Sequence, residues 1–213
     1  MVINRRQQWW QHTTHIKNVS FYEHNIFISI TKDPDYVTAW ISEITENIND
    51  HRLIIGLDTE WRASFRRGGE NRVAILQLCV GHRCLIFQII HAPYIPQSLI
   101  DFLNNPSYTF TGVGIHTDAE MLVRDYGLGR ADDGTRLAAN VTDVVWLAAP
   151  MNGNTINGLG LKSLAKMLLS MEPEKPKRVT LSKWGNQWLS PEQIDYACID
   201  AFLSLEISRV LIT

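Results

Sequence analysis

Asp58 and Glu60 stand at i and i+2 in LIIGLDTEW, an apolar run that reads as a strand ending in acids. Strand residues two apart project to the same face, so both carboxylates meet where the chain leaves the core. Two like charges held there are unfavourable unless solvent or a cation neutralises them. Asp118 follows a second apolar run, FTGVGI, near the start of a helix. Tyr196 and Asp200 lie one turn apart on one face of a long amphipathic segment. Each pattern also has an ordinary explanation: a solvated strand end, an acid favoured by the positive end of a helix, and the polar edge of an amphipathic helix. Taken together, carboxylates from two strand ends and one helix make an oxygen-rich set suited to Mg²⁺ or Mn²⁺, which take carboxylate and water ligands.

Other chemistries are poorly supplied. His82, His91 and His116 form no metal-ligand spacing with the cysteines, and Ser163, Ser190 and Ser204 lack a nucleophile-elbow context. No GxxxxGK[ST] run exists, and Gly112-Val113-Gly114 is only a fragment of a dinucleotide-binding fingerprint. Cys79, Cys84 and Cys198 are too few and too unevenly spaced for a disulfide scaffold or a four-thiolate zinc site, and they suit a reducing compartment.

The elements that must position these acids can be read from periodicity. Short strands are predicted around residues 17–22 and 26–31, with His24-Asn25 as the turn. Asp33-Pro34 opens a helix running to about Asn49, with Val37, Trp40, Ile41, Ile44 and Ile48 as its apolar stripe. Strands follow at 52–60, 73–80 and 84–89, the last two a hairpin across Gly81-His82. A short helix at 96–103, a strand at 108–115 and a helix at 116–126 closed by Gly127 come next. Helices at 143–149 and 159–169 precede a loop with Pro173, Pro176 and the basic residues Lys175, Lys177 and Arg178. Ser190-Pro191-Glu192 opens the last helix, to about Leu211. Strands early and helices late predict an α/β domain with a mixed central sheet flanked by helices.

The 213 residues suit one domain over 16–213 preceded by an arm at 1–15, where Arg5, Arg6, Trp9 and Trp10 are a contact surface or fold back onto the domain. A hydrophobic fraction of 45% is enough for a packed core, and a formal charge of −2 excludes a blanket basic surface without excluding a local basic rim. No apolar run reaches membrane-spanning length and the first fifteen residues lack the apolar centre of a secretory signal, so cytoplasm or nucleus is the expected location.

Read as a set, LGLDTEW, FTGVGIHTDAEML and LSPEQIDYACIDAFLSLEI resemble the three motifs of the DEDD superfamily of 3′–5′ exonucleases, in its tyrosine-containing branch. The likeness covers about residues 26–210 and extends to plant Werner syndrome-like exonucleases and plant RISC-interacting clearing exoribonucleases, with ribonuclease D more distant. It implies a ribonuclease H-like (DnaQ-like) fold. It carries family roles onto Asp58, Glu60, Asp118 and Asp200 as ligands of two divalent ions and onto Tyr196 as the residue that orients the attacking water. In that pattern Asp58 bridges the ions, Glu60 and Asp200 hold the ion that activates water, and Asp118 supports the other. Where many relatives carry Ser-Asn-Trp before the last helix, this chain has Ser182-Lys183-Trp184. The implied activity is release of nucleoside 5′-monophosphates from the 3′ end of single-stranded nucleic acid, RNA before DNA. The alternatives are a DNA-processing exonuclease and a non-catalytic scaffold. Without a helicase or other accessory domain in the sequence, resemblance to stand-alone plant enzymes also implies a homo-oligomer, as far as a hexameric ring, and small-RNA silencing proteins as partners.

Around the first motif, Arg62, Arg66, Arg67 and Arg72 are candidates for phosphate contacts, and Trp61 and Phe65 for stacking on a terminal base. Their ordinary readings are a solvated loop and anchoring aromatics. The cluster from Lys175 to Lys183 is a second candidate groove or a contact to another subunit.

Overall fold

β3 (Leu53–Trp61), the strand that ends in Asp58 and Glu60, lies inside a mixed sheet. The computed structural model describes residues 13–46, 53–61, 72–128, 141–155 and 157–212. Among these, seven strands form one sheet: β1 (Thr14–Phe21), β2 (His24–Thr31), β3, β4 (Val73–Val80), β5 (Arg83–Phe87), β6 (Tyr108–Gly112) and β7 (Val141–Asp143). Their spatial order is β1-β2-β5-β4-β3-β6-β7. The β1/β2, β5/β4 and β4/β3 pairs are antiparallel, and β2/β5, β3/β6 and β6/β7 are parallel. β4, VAILQLCV, is buried along nearly its whole length because both of its faces are covered.

One layer comprises α1 (Pro34–Glu46), α2 (Gln97–Leu103) and α3 (Ile115–Tyr126). Val37, Trp40 and Ile44 of α1 join Leu99, Phe102 and Leu122 over Ile55, Leu57, Leu76 and Leu78 of the sheet. The other face carries α4 (Val144–Ala148), α5 (Leu161–Leu169), α6 (Lys177–Thr180) and α7 (Pro191–Ile212). Ala197, Ala201 and Phe202 of α7 pack there on Ile75, Cys79 and Ile86. Residues 54, 56, 58 and 60 of β3 therefore alternate toward α7, while 55, 57 and 59 face the first layer. The α/β sandwich with a mixed sheet is the predicted architecture.

Several boundaries differ from the sequence reading. β6 stops at Gly112 rather than residue 115 because Gly114 turns left-handed (φ 71) and its N–H is capped by Asp143 Oδ2 at 2.9 Å, so the helix begins at Ile115. β5 stops at Phe87, and Ile89–His91 make a 3₁₀ turn. The Gln88 amide leaves the ladder direction to bond the carbonyls of Asn186 and Gln187. α6, read as loop, and β7, whose first two residues were assigned to no element, are ordered elements too short to show a period. Asp143, assigned to a helix, is the N-cap of α4, accepting from Val145 N–H at 2.9 Å. Cys79 and Cys84 are direct cross-strand neighbours in the β4/β5 hairpin and form a disulfide, leaving Cys198 free and buried.

The expected arm at 1–15 lies mostly outside the described residues, and Thr14 and His15 already belong to β1. No helix among the described residues is long and apolar enough to cross a membrane.

Candidate active site

β3 reaches the sheet end with three consecutive polar residues that serve both layers. Asp58 and Glu60 face α7, on which Tyr196 and Asp200 are one turn apart. Thr59, between them, turns to the opposite layer and donates its hydroxyl to Asp118 Oδ1 at 2.6 Å. Asp118 sits in the first turn of α3, whose start is fixed by the left-handed Gly114. Asp58, Glu60, Asp118, Lys175, Tyr196 and Asp200 thus border one open cleft of about 480 Å³. All five residues predicted from the three sequence segments are brought to it.

Two close approaches set this convergence. A Cβ on Gly56 would lie 1.9 Å from the Ala201 carbonyl oxygen, so α7 crosses β3 with backbone nearly in contact, and Asp200 is the neighbour of that crossing point. A Cβ on Gly112 would lie 2.6 Å from the Leu57 carbonyl oxygen, which holds the end of β6, and with it α3, against β3. The Gly-Val-Gly run is thus a packing and turning device, not part of a dinucleotide loop.

The electrostatics are those of too much negative charge in too little water. Burial, then the carboxylates of Asp118, Asp200 and Glu60, holds the Asp58 acid well above its usual range, with Lys175 opposing. Burial and Asp200 push Glu60 up to about 8. Burial pushes Asp118 up to about 7, against the Thr59 hydrogen bond that favours its ionised form. Asp200 is also raised by burial, while the Lys175 ammonium, 2.5 Å from its Oδ2, and the Tyr196 hydroxyl favour its charge. Burial and the neighbouring acids drive the Tyr196 phenol far above its ordinary value, so it stays protonated. Directly opposite Asp58 in the β4 register, Gln77 is fully buried, and neither of its amide atoms has a hydrogen-bond partner among the described residues. Such a group is normally satisfied by protein or water.

These shifts fix a sign for the pH dependence of the metal-free protein. Glu60 rises from 4.5 to about 8 and Asp118 from 3.8 to about 7 on folding, so the folded state holds protons that the unfolded chain has released. Their contribution is complete below the unfolded values and is lost as pH rises through the folded ones. The melting temperature in chelator is therefore expected to fall between about pH 5 and pH 8, and Glu60→Gln should flatten that fall. A melting temperature that rises over this window in chelator, with no flattening in the variant, would contradict the arrangement.

Thr59 was not picked out from the sequence, although its place between two acids at a strand end was visible there. Thr59→Val keeps the shape but leaves Asp118 Oδ1 without this donor. The expected cost is about 1–2 kcal/mol at pH above the Asp118 value, smaller at low pH, read from urea denaturation at the two pH values.

The substrate-contact expectations fare unevenly. Trp61 borders the cleft while also packing against the core beneath it. Arg72 is turned away to the end of α3, where it donates to the Asp125 carbonyl at 3.3 Å and lies 4.4 Å from the centre of the Tyr126 ring. It is not among the residues bordering the cleft, because the start of β4 carries it toward α3 instead. Arg62, Phe65, Arg66 and Arg67 lie outside the described residues. Lys183, the departure from the Ser-Asn-Trp pattern, is exposed, whereas Trp184 is fully buried, its ring centre 6.0 Å from that of Tyr196. The substitution therefore leaves the packing behind Tyr196 in place.

The 3′–5′ exonuclease family model matches residues 28–212, through all three acidic segments. The chain belongs to the 3′–5′ exonuclease family. It is 36% identical over 159 residues to a 3′–5′ exonuclease of Arabidopsis thaliana, covering 74% of this chain and 52% of that protein. It is 33% identical over 159 residues to the bifunctional 3′–5′ exonuclease/ATP-dependent helicase WRN of Mus musculus, covering 74% of this chain and 11% of that protein. The chain thus spans about half the length of the plant relative and a small part of the mouse one. Among solved structures, the EXO domain of Aedes aegypti Nibbler superposes with a TM-score of 0.69 at 19% identity, covering 92% of this chain and 90% of that one. That likeness establishes the DnaQ-like, ribonuclease H-like exonuclease fold. The membership agrees with the DEDD resemblance read from the sequence.

Proposed function

We propose that this protein is a metal-dependent 3′–5′ exonuclease that hydrolyses single-stranded nucleic acid, RNA in preference to DNA, and releases nucleoside 5′-monophosphates. The observation that carries the reading is the convergence of four carboxylates from three elements, with the Tyr196 phenol, on one open cleft.

The donor set fits divalent cations. It is all-oxygen and strongly acidic, its members raise one another's proton affinity, and a lysine ammonium already stands against Asp200 as a cation does. Among the described residues no three acidic, histidine or cysteine side chains already stand at ligating separation, so small side-chain movements would have to close the set. Asp58 and Glu60 would hold ions on the β3 side, Asp200 on the α7 side and Asp118 on the α3 side. Two divalent ions, when bound there, supply Lewis-acid stabilisation of the attacking and leaving oxygens of an in-line phosphodiester displacement.

The chain's own groups do the rest. Tyr196, protonated at neutral pH, can position the attacking water through its hydroxyl but not remove its proton. Thr59 holds Asp118 in place from β3, on the face turned away from α7. Trp61 offers an aromatic edge at the cleft against which a terminal base can lie. The RNA preference, assembly into a homo-oligomer, silencing-protein partners and a cytoplasmic or nuclear location are proposed with this reading on the strength of the sequence resemblance.

The test is a time course on matched 3′-labelled and 5′-labelled single-stranded RNA and DNA with Mg²⁺ or Mn²⁺. Stepwise shortening from the 3′ end, stopped by chelator and faster on RNA, is expected. Faster DNA shortening would reassign the substrate, and folded, metal-treated protein that cleaves neither would remove the enzymatic reading.

A further inference from the structure

Among the described residues lining the acidic cleft, Lys175 is the one basic side chain. Its ammonium is 2.5 Å from Asp200 Oδ2, and 27% of its side chain is exposed against 5% of that of Asp200. The same nitrogen lies 5.3 Å from the centre of the Tyr196 ring. A short, charge-assisted bond to a buried carboxylate is among the stronger polar contacts a protein makes. The backbone is built to deliver it. Lys175 precedes Pro176, which biases it to an extended conformation, and Pro176 is itself extended at the N-cap of α6 (φ −70, ψ 127). Pro173, two residues earlier, is buried, so the segment joining α5 to α6 is pinned on both sides of the lysine.

The ammonium acts beyond its direct partner, since it opposes the charge repulsion felt by both Asp58 and Glu60. Lys175 also borders a second hollow formed with residues 158–163 and Lys166, so open space lies beside its side chain outside the acidic cleft. A divalent ion on Asp200 and an ammonium at hydrogen-bond distance from the same oxygen would repel strongly in this partly buried setting.

Resting on the metal-dependent reading above, we propose that Lys175 is an internal counter-ion that occupies the Asp200 side of the cleft and must be displaced for a divalent ion to bind there. It neutralises the acids while the site awaits metal, and it weakens metal binding by the same contact. Lys175 is on this view a positioning residue that raises the metal concentration at which the site fills.

The experiment is Mn²⁺ titration of the full chain by calorimetry and electron paramagnetic resonance, on the wild type, Lys175→Met and Lys175→Arg. Removing the competing charge should tighten Mn²⁺ binding about tenfold in Lys175→Met, and the charge-preserving Lys175→Arg should stay near wild type. In chelator Lys175→Met should melt below wild type, and saturating Mn²⁺ should close the gap. A lysine with a merely structural role would lower the melting temperature with and without metal and would not tighten binding. Equal or weaker Mn²⁺ affinity in Lys175→Met overturns this inference while leaving the metal reading standing. No Mn²⁺ binding by any of the three overturns both. Should Lys175→Met fail to fold, acylation of lysines in the wild type, followed by mass spectrometry, decides the matter. Lys175 should become more reactive when Mn²⁺ is added while other lysines do not, and an unchanged Lys175 rejects the proposal.

Discussion

Asp58→Asn should abolish metal-dependent shortening of the 3′ end while leaving the protein folded and, in chelator, no less stable than wild type. Asp58 is the acid whose charge is felt with those of Glu60, Asp118 and Asp200, so it links the β3, α3 and α7 sides of the cleft. Asparagine has nearly the same shape and keeps a ligating oxygen but no charge, so it cannot balance cations held between these elements. A loss of more than about a thousandfold in kcat/KM is expected, equivalent to about 4 kcal/mol of transition-state stabilisation. The melting curve separates this from misfolding. Because the Asp58 acid is held above its usual range by burial and by its neighbours, removing its charge relieves repulsion instead of breaking support. The stabilisation by Mn²⁺ seen in wild type should shrink or vanish in the variant. Near-wild-type turnover by Asp58→Asn would place the chemistry elsewhere.

Gly56→Ala is expected to produce the largest loss of stability of any glycine-to-alanine change among the described residues. The new Cβ would lie 1.9 Å from the Ala201 carbonyl oxygen, and 3.1 Å from Leu205 Cβ. The obstacle is backbone at the middle of a 22-residue helix, which cannot turn aside as a side-chain end could. Overpacking of this kind costs about 3 kcal/mol or more, read from denaturant midpoints. It should also uncouple activity from folding. Any protein that survives must lift α7 from β3 at the residue next to Asp200, so remaining folded molecules should have weak Mn²⁺ affinity and little turnover. The Gly112→Ala clash, 2.6 Å from the Leu57 carbonyl oxygen, is milder and tests the same crossing on the α3 side. A Gly56→Ala protein as stable as wild type would mean that the helix and strand are not packed as described.

Much of this was legible in the chain. Period-two and period-3.6 patterns located most of the longer strands and helices, because their burial faces are long enough to repeat. The acids of the cleft were legible for a different reason. Asp58 and Glu60 end an apolar strand, Asp118 follows one at the start of a helix and Asp200 lies on a largely buried helix, and a carboxylate at the end of a buried strand or on a buried helix face is costly unless it has a use. Short elements were not legible: β7 has three residues and α6 four, too few for any period. The pairing of Cys79 with Cys84 was not drawn from the sequence, although the predicted turn at Gly81-His82 already implies the register that sets them opposite one another.

What the sequence by itself determined is the α/β class, the order of the main elements and the identity of the five residues that meet at the cleft. The tertiary structure alone decided how they meet. Only the stacking of two helical layers on opposite faces of β3 lets Thr59 reach Asp118 on one side while Asp58 and Glu60 meet Tyr196 and Asp200 on the other. Only the glycine crossings bring the layers close enough, and only the fold carries Lys175, twenty-five residues before Asp200, onto that carboxylate. The physical reason is that a sequence pattern records which face of its own element a side chain occupies. The distance between faces of different elements is set by packing and by charge, which exist only once the chain has folded.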